Sequence, residues 1–230
     1  MNTSKISIRY ALILATVALC CTSFSTLIYL ATKDQIDYVV TKQQRKFLKG
    51  VIPTDLIDND IVSTCKRIEM PEYPFLNQIY IAKKANKVTA YVIKSTAPDG
   101  YSGAITILQA FSAEGRELET KVLGVRVLDH RETPGLGDKF NPRVSDWIYS
   151  FNNKFFNLEN ENKWFVKKDG GEFDQFTGAT ITPRAIVNNV RYTAKWLITQ
   201  LKPQSKMIEF YPDCDSNKKH KKRSVKKSGR

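Results

Sequence analysis

The stretch Asp174-Gln175-Phe176-Thr177-Gly178-Ala179-Thr180-Ile181-Thr182-Pro183-Arg184 combines small and hydroxyl-bearing residues with the start of a predicted helix. Thr182 is a favoured N-cap residue, and Pro183 suits the first helical position because its missing N–H would be unpaired there anyway. Apolar residues then recur at helical spacing: Ile186, Val187, Val190, Ala194, Leu197, Ile198 and Leu201. Thr177, Thr180 and Thr182 are thus expected just before a helix N-terminus, which favours phosphate. An ordinary capped helix after a glycine turn has the same spacing.

Upstream of this segment the sequence predicts an antiparallel sheet. Apolar and β-branched runs cover residues 79–82, 88–93, 104–111 and 122–128, and polar or glycine-containing turns separate them. A further strand is predicted over residues 164–166. Together with the helix after Thr182, this pattern predicts an α+β fold, with a mixed α/β domain built on an antiparallel sheet over residues 79–205.

The N-terminal region predicts a single transmembrane helix. Residues 10–32 carry no charge and are rich in Leu, Ile, Ala and Val, and about 20 such residues cross a bilayer. Residues 1–9 then precede this helix, and residues 33–78 form a connecting helix and linker. The helix is expected over residues 34–50 and ends before Pro53. Basic residues flank the apolar run on both sides, so the positive-inside rule does not decide the orientation.

The net charge of +13 does not indicate a nucleic-acid partner, because it is concentrated at one end. Residues 217–230 contain eight Lys and Arg residues and no acid, which is most of the excess charge. Blocks of like charge are usually disordered, so residues 206–230 are predicted to form a basic, disordered tail.

The four cysteines do not predict a metal site, since no C-x-x-C spacing occurs. Cys20 and Cys21 lie in the apolar run and are expected to pack. Cys65 and Cys214 can form a disulfide if the soluble part is extracytoplasmic.

No nucleophile–base pair is evident, so no catalytic residue is predicted.

A second polar segment, residues 129–139, follows the fourth predicted strand and contains Glu132-Thr133-Pro134-Gly135-Leu136-Gly137. Its Pro and Gly content predicts a loop, either a plain connector or a ligand-binding loop.

The motif Asp174-x-x-Thr177-Gly178-Ala179-Thr180-x-Thr182 resembles the flavinylation motif of the FMN-binding-domain family. The resemblance implies that FMN is joined to Thr180 by a phosphoester, which a separate flavin transferase forms. Thr177 stands where Ser is common. The Glu-Thr-Pro-Gly-Leu-Gly loop is similar to the second family hallmark, which wraps the flavin ring, and this implies five flavin neighbours: Thr133, Gly135, Leu136, Gly137 and Lys139.

Residues 97–105, 132–139, 145–148 and 166–185 are similar to the G subunit of the Rnf (Rsx) electron transport complex. The resemblance implies a flavoprotein relay in a membrane complex that couples electron transfer between NADH and ferredoxin to ion translocation. It also implies other subunits as partners and a single-pass anchor in the bacterial inner membrane, with the flavin domain on the periplasmic side.

Two alternatives share part of this pattern. The C subunit of the sodium-translocating NADH:quinone reductase has both hallmarks, although residues 145–185 look closer to the Rnf protein. A membrane-anchored binding domain without redox function is the other alternative.

Overall fold

A computed structural model describes residues 3–116 and 118–214, except for a few side chains in the first helix. The chain divides into two units, one ending at Gln44 and the other beginning at Arg45. Helix α1, Thr3–Val51, includes the whole of the described part of the first unit. It ends where the chain approaches Pro53, since the residue before a proline is disfavoured in helical conformation.

One segment of α1 is long and apolar enough to cross a membrane. Ile8–Lys33 has a mean hydropathy of 2.1, and none of its most apolar part is buried. Among the described residues it is the single helix with this length and composition. An N-terminal signal sequence has the same properties.

The second unit is built on a six-stranded sheet. Its strands are Lys66–Arg67 (β1), Leu76–Lys84 (β2), Lys87–Ala97 (β3), Ile105–Ser112 (β4), Glu119–Asp129 (β5) and Phe155–Asn157 (β6). They lie in sequence order and each neighbouring pair is antiparallel. Helices α2, Ile181–Trp196, and α3, Met207–Phe210, follow. A π-helical segment, Leu197–Leu201, extends α2. The predicted α+β fold with an antiparallel sheet is confirmed.

Both faces of the sheet are covered. On one face, buried residues such as Ile93 and Phe111 join the apolar side of α2, which includes Ile186 and Val190. On the other face, the end of α1 and the following loop contribute Leu48, Val51, Ile52 and Ile61 to a second core. Gly124 of β5 permits this close approach, because a Cβ atom there would lie 2.5 Å from the carbonyl oxygen of Val51. The compact unit therefore starts at Arg45, well before the predicted boundary at residue 79.

A buried polar network fixes α2 against the sheet. Gln109 Nε2 donates to Ser95 Oγ (2.6 Å) and to Asn189 Oδ1 (2.7 Å), and Ser95 Oγ also donates to Asn189 (2.6 Å). Because these side chains are nearly or fully buried, the network specifies how α2 sits on β3 and β4.

The outer edge of β2 is sealed by side chains beyond the end of β1. Asn59 accepts from Lys83 N (2.8 Å) and donates to Ile81 O (3.1 Å), while Thr64 Oγ1 accepts from Ile81 N (2.8 Å). The backbone groups that would otherwise pair with a further strand are thus already bonded.

The C-terminal segment is ordered as far as residue 214, so the predicted tail begins too early. Cys214 forms a disulfide with Cys65, and the neighbouring Asp213 lies 2.8 Å from Lys66 Nζ. Ile208 of α3 is buried in the main core. The rest of the predicted tail, residues 215–230, lies outside the described residues.

The strand predicted over residues 164–166 is wrong. Trp164 ends a short 3-10 turn, Glu161–Lys163, and only Val166 makes an isolated bridge, to Phe173. The aromatic side chain of Trp164 is buried among Phe151, Phe156 and Phe173. The apolar run therefore reflects core packing and not strand pairing.

Candidate functional site

Helix α2 begins earlier than the sequence predicts. Thr180 is its N-cap residue, and no side chain caps the helix. Thr182 does not serve as N-cap because its hydroxyl is fully buried and donates to Glu132 Oε2 at 2.7 Å. Arg184 N already donates to Thr180 O (3.3 Å), and Pro183 has no N–H. Within the described structure, the N–H groups of Ile181 and Thr182 and the hydroxyl of Thr180 have no hydrogen-bond partner.

The turn before α2 exposes its small residues. Ala179 N donates to Phe176 O (3.1 Å), which closes the turn, and Gly178 has φ +82°. That conformation strains any residue with a Cβ atom. Thr177 and Gly178 are exposed, and Ala179 and Thr180 are half-buried.

The loop after β5 folds back on itself beside this turn. Thr133 O accepts from the N–H groups of Leu136 (3.2 Å) and Gly137 (3.0 Å), and Gly135 N donates to Asp138 Oδ1 (2.7 Å). A Cβ atom on Gly137 would lie 2.7 Å from Glu132 Oε2. Only glycine therefore lets the loop lie this close to the glutamate.

Glu132 connects three separate segments. Its carboxylate is 4% exposed. Oε1 accepts from Ser102 N (3.1 Å) in the loop after β3, and Oε2 accepts from Thr182 Oγ1 in α2. Glu132 itself belongs to the loop after β5, so this side chain fixes the three segments relative to one another.

These segments enclose a cavity of about 160 Å³. Six predicted site residues line it: Thr133, Leu136, Gly137, Gly178, Ala179 and Thr180. Three further residues line it that were not predicted as site residues: Tyr101, Glu132 and Ile181. Tyr101 and Glu132 lie in stretches that carry the family resemblance, so the signal was present. Ile181 was not distinguishable from an ordinary helix residue.

The other five predicted site residues do not line the cavity. Thr182 lies behind it, bonded to Glu132. Asp174 pairs with Lys167 Nζ at 2.6 Å, and its carbonyl accepts from Trp147 Nε1. The Lys139 carbonyl accepts from Ser145 Oγ. Thr177 and Gly135 are exposed at the two turns.

The positive charge of Arg184, next to the cavity, is neutralised by an ion pair. Arg184, in the first turn of α2, makes two hydrogen bonds to Asp169, at 2.6 and 2.8 Å. The bond to Arg184 lowers the pKa of Asp169 below its usual value. The remaining favourable field for an anion therefore comes from the unpaired N–H groups at the start of α2.

Sequence comparison assigns both parts of the chain. Residues 100–195 match the FMN-binding domain, and residues 1–51 match the RnfG N-terminal region. The G subunit of the ion-translocating oxidoreductase complex of Haemophilus influenzae strain 86-028NP is 47% identical over 84% of this chain and 91% of its own length. The protein of the same name from Pasteurella multocida is 46% identical over 89% of this chain and 100% of its own. This chain belongs to the RnfG family of ion-translocating oxidoreductase complex subunits.

The FMN-binding domain of this family member, residues 100–195, contains every residue that lines the cavity. The crystal structure of NqrC from Shewanella oneidensis is a more distant match, with 20% identity and a TM-score of 0.36 over 63% of this chain and 67% of that one.

Proposed function

We propose that the protein is a membrane-anchored redox subunit that carries FMN as a phosphoester on Thr180. In this role it relays electrons within a membrane complex that couples electron transfer between NADH and ferredoxin to ion translocation. One observation carries the proposal: the Thr180 hydroxyl lies free of hydrogen bonds to the described residues at the cavity, at the start of α2, inside the FMN-binding domain.

The residues around Thr180 fit a phosphate group. The unpaired N–H groups of Ile181 and Thr182 favour an anion. Gly178 leaves open space, since a Cβ atom there would meet nothing closer than Leu136 Cδ2 at 3.8 Å. Both oxygens of the nearby Glu132 carboxylate accept hydrogen bonds from the protein, which offsets its repulsion of a phosphate.

Exposed apolar surface next to the cavity fits the flavin ring. Leu136, Tyr101 and Ile181 are 50%, 69% and 43% exposed although they line the same cavity. We assign the ring to this surface, with Thr133 and Gly137 beside it and Gly135 and Lys139 further along the loop. Bound FMN supplies electron transfer in one- or two-electron steps. The protein holds the group, shields one side of it from water and limits its movement.

The motif residues outside the cavity have a positioning role in this proposal. Thr182 holds Glu132, and Asp174 fixes the chain before the turn through Lys167 and Trp147. Thr177 is exposed and contributes its small size rather than a contact.

Two features of the chain support the proposed anchor and compartment. The segment Ile8–Lys33 is the proposed single-pass anchor in the bacterial inner membrane, with residues 1–9 in the cytoplasm. The Cys65–Cys214 disulfide supports an oxidising compartment for the flavin domain, hence the periplasmic side. The flavin transferase that attaches FMN is then expected in that compartment, and the other subunits of the complex are the electron-transfer partners.

The linkage is tested by intact-mass measurement of the full chain after expression with a flavin transferase. The wild-type protein is expected to gain the mass of one FMN less one water. The Thr180→Val variant is expected to gain nothing, because no hydroxyl is left at this position. Thr177→Val is the matched control and keeps the flavin.

Two results would contradict the proposal. Flavin retained by Thr180→Val would place the linkage at another residue. A wild-type chain that stays flavin-free beside an active transferase would favour a binding domain without redox function.

Purification of the native complex distinguishes the redox alternatives. Iron–sulfur partners of the ferredoxin type support the proposed complex, whereas quinone reduction supports the sodium-translocating reductase.

A further inference from the structure

A second cavity in the unit that begins at Arg45 has no role in the proposed flavin site. It has a volume of about 770 Å³ and shares no residue with the flavin cavity. We call it the basic groove. Strands β2 and β3, the turn after β4 and the segment after α2 form it, and its basic residues are Lys66, Lys83, Arg116, Lys202 and Lys206.

The charge of the basic groove is unbalanced. Among the residues that the structure describes, five cationic side chains line it, against one carboxylate, Glu209. Lys66 is paired with Asp213. Lys83, Arg116 and Lys206 form no salt bridge with any residue that the structure describes. Among the described residues, these three cations are therefore available to a ligand.

Lys202 lines the groove and is half-buried. Its Nζ donates to the backbone carbonyl of Glu119 at 2.7 Å, and it has no salt bridge within the described structure. Burial lowers the pKa of Lys202, although the nearby Glu119 opposes the change. An ammonium group has three N–H donors, so Lys202 retains donors for an incoming carboxylate.

Apolar side chains complete the groove between the cations. Tyr91, Ile198 and Ile208 are buried core residues that reach this surface, and the more exposed Val88 and Leu118 extend it. A ligand that fills the groove must then present apolar groups together with negative charge. Cavities of this size, roughly 300–1,000 Å³, hold compact ligands or a few residues of peptide.

The basic tail of the chain itself is not a suitable occupant. The chain leaves the described structure at Cys214, which is bonded to Cys65, next to the groove residue Lys66. Residues 217–230 carry eight basic residues and no acid, so they are repelled by the groove.

We propose that the basic groove binds an acidic peptide segment of another protein, with apolar residues between its carboxylates. A flat bilayer surface fits less well, because the groove is concave and one of its lining cations, Lys202, is half-buried. Electrostatic complementarity of this kind selects partners and accelerates their encounter. This inference goes beyond the proposed flavin function and does not depend on it.

The probe is a fluorescein-labelled peptide of alternating Glu and Leu, and fluorescence anisotropy measures its binding to the full chain in detergent. The wild type is expected to bind this peptide. A second peptide, in which Gln replaces every Glu, is expected to bind at least about tenfold more weakly. The triple variant Lys83→Glu, Arg116→Glu, Lys206→Glu is expected to weaken binding of the Glu peptide by about tenfold or more. Lys202→Gln, which keeps a donor toward Glu119, is expected to weaken it too.

The matched control carries the same charge change outside the groove: Lys46→Glu, Lys49→Glu, Arg143→Glu, all at exposed positions. It is expected to change the affinity less than about threefold, because screening weakens distant charges at physiological salt. Equal loss in both triple variants would overturn the proposal, as would equal binding of the two peptides. Binding to phosphatidylglycerol vesicles that requires the groove cations, without peptide binding, would assign the groove to the membrane surface and overturn it as well.

Discussion

At the scale of single residues, the site depends on hydroxyl groups that the sequence makes look equivalent. Thr177, Thr180 and Thr182 lie close together in one short segment, yet the structure gives each a different environment. Thr177 is exposed, Thr180 is half-buried at the cavity, and Thr182 is fully buried against Glu132. The carboxylate of Glu132 makes this distinction, since it accepts a hydrogen bond from Thr182, whereas the Thr180 hydroxyl has no hydrogen-bond partner among the described residues.

Replacement of Thr182 by Val tests the buried contact. The substitution removes the donor to Glu132 Oε2 and leaves a buried carboxylate with one partner fewer, which costs about 1–3 kcal/mol. Urea denaturation of the full chain in detergent is expected to show this loss in the free energy of unfolding. The same substitution at the exposed Thr177 is expected to change it by no more than about 0.5 kcal/mol. Equal effects at the two positions would show that the Glu132 contact contributes nothing to stability.

At the scale of elements, α2 is held by two different kinds of contact. Its apolar side packs on the sheet, and the network of Ser95, Gln109 and Asn189 fixes its position. On its outer side, Arg191 and Lys195 bind the carboxylate of Glu161 at 2.7 and 2.8 Å. Arg191 also lies over the rings of Phe165 and Tyr192. The ion pair thus ties α2 to the short turn at Glu161–Lys163.

The Glu161 contact predicts an acid-dependent stability. Burial raises the pKa of Glu161, but hydrogen bonds from Lys195 and Arg191 outweigh it, and the folded pKa is lowered. A carboxyl with a lowered folded pKa stabilises the protein above its unfolded pKa, about 4.3, and this contribution is lost as pH falls through the folded value. Glu161→Gln is therefore expected to cost about 1–2 kcal/mol near neutral pH, and the difference from wild type is expected to disappear on acidification.

Thermal unfolding between pH 7 and pH 3 measures this difference. Glu159→Gln is the matched control, because Glu159 is exposed two residues away and has no salt bridge within the described structure. If the stability difference between the wild type and Glu161→Gln stays constant over this pH range, the stabilising role of the Glu161 carboxylate is contradicted.

Some of the strands and helix ends could be predicted from the sequence, and others could not. The four long strands were predictable because a run of apolar and β-branched residues marks each of them, with polar or glycine-containing turns between the runs. Strands β1 and β6 have two and three residues, which is too short for any periodicity. The start of α2 was misplaced because Thr182 has the right chemistry for an N-cap, and only the position of Glu132 in space shows that its hydroxyl is used elsewhere.

At the scale of the whole molecule, one covalent bond joins the start of the sheet to the segment after the last helix. Cys65 precedes the sheet and Cys214 follows the last helix, at a sequence separation of 149. The sequence alone could not decide whether these cysteines are close, because such a separation carries no geometric information. The same bond explains why residues 206–214 are ordered although the composition predicted a tail.

Removal of this bond is expected to destabilise the protein substantially. Cys65→Ser together with Cys214→Ser is expected to lower the free energy of unfolding by about 2–5 kcal/mol, since the disulfide closes a long loop in the unfolded chain. Denaturation with and without a reductant measures it, and the reductant should affect the wild type only. Substitution of Cys20 and Cys21, which form no disulfide, is the control. A wild type that is indifferent to reductant would contradict the prediction.

The side-chain bonds of Asn59 and Thr64 along β2 also restrict how the unit can assemble. Since the amides and carbonyls of that rim are occupied from within, a neighbouring polypeptide cannot be recruited here by extension of the sheet. Contacts of this edge with other subunits must then rely on shape and charge complementarity between side chains. The occupied backbone groups also keep this edge from pairing with a second copy of the chain.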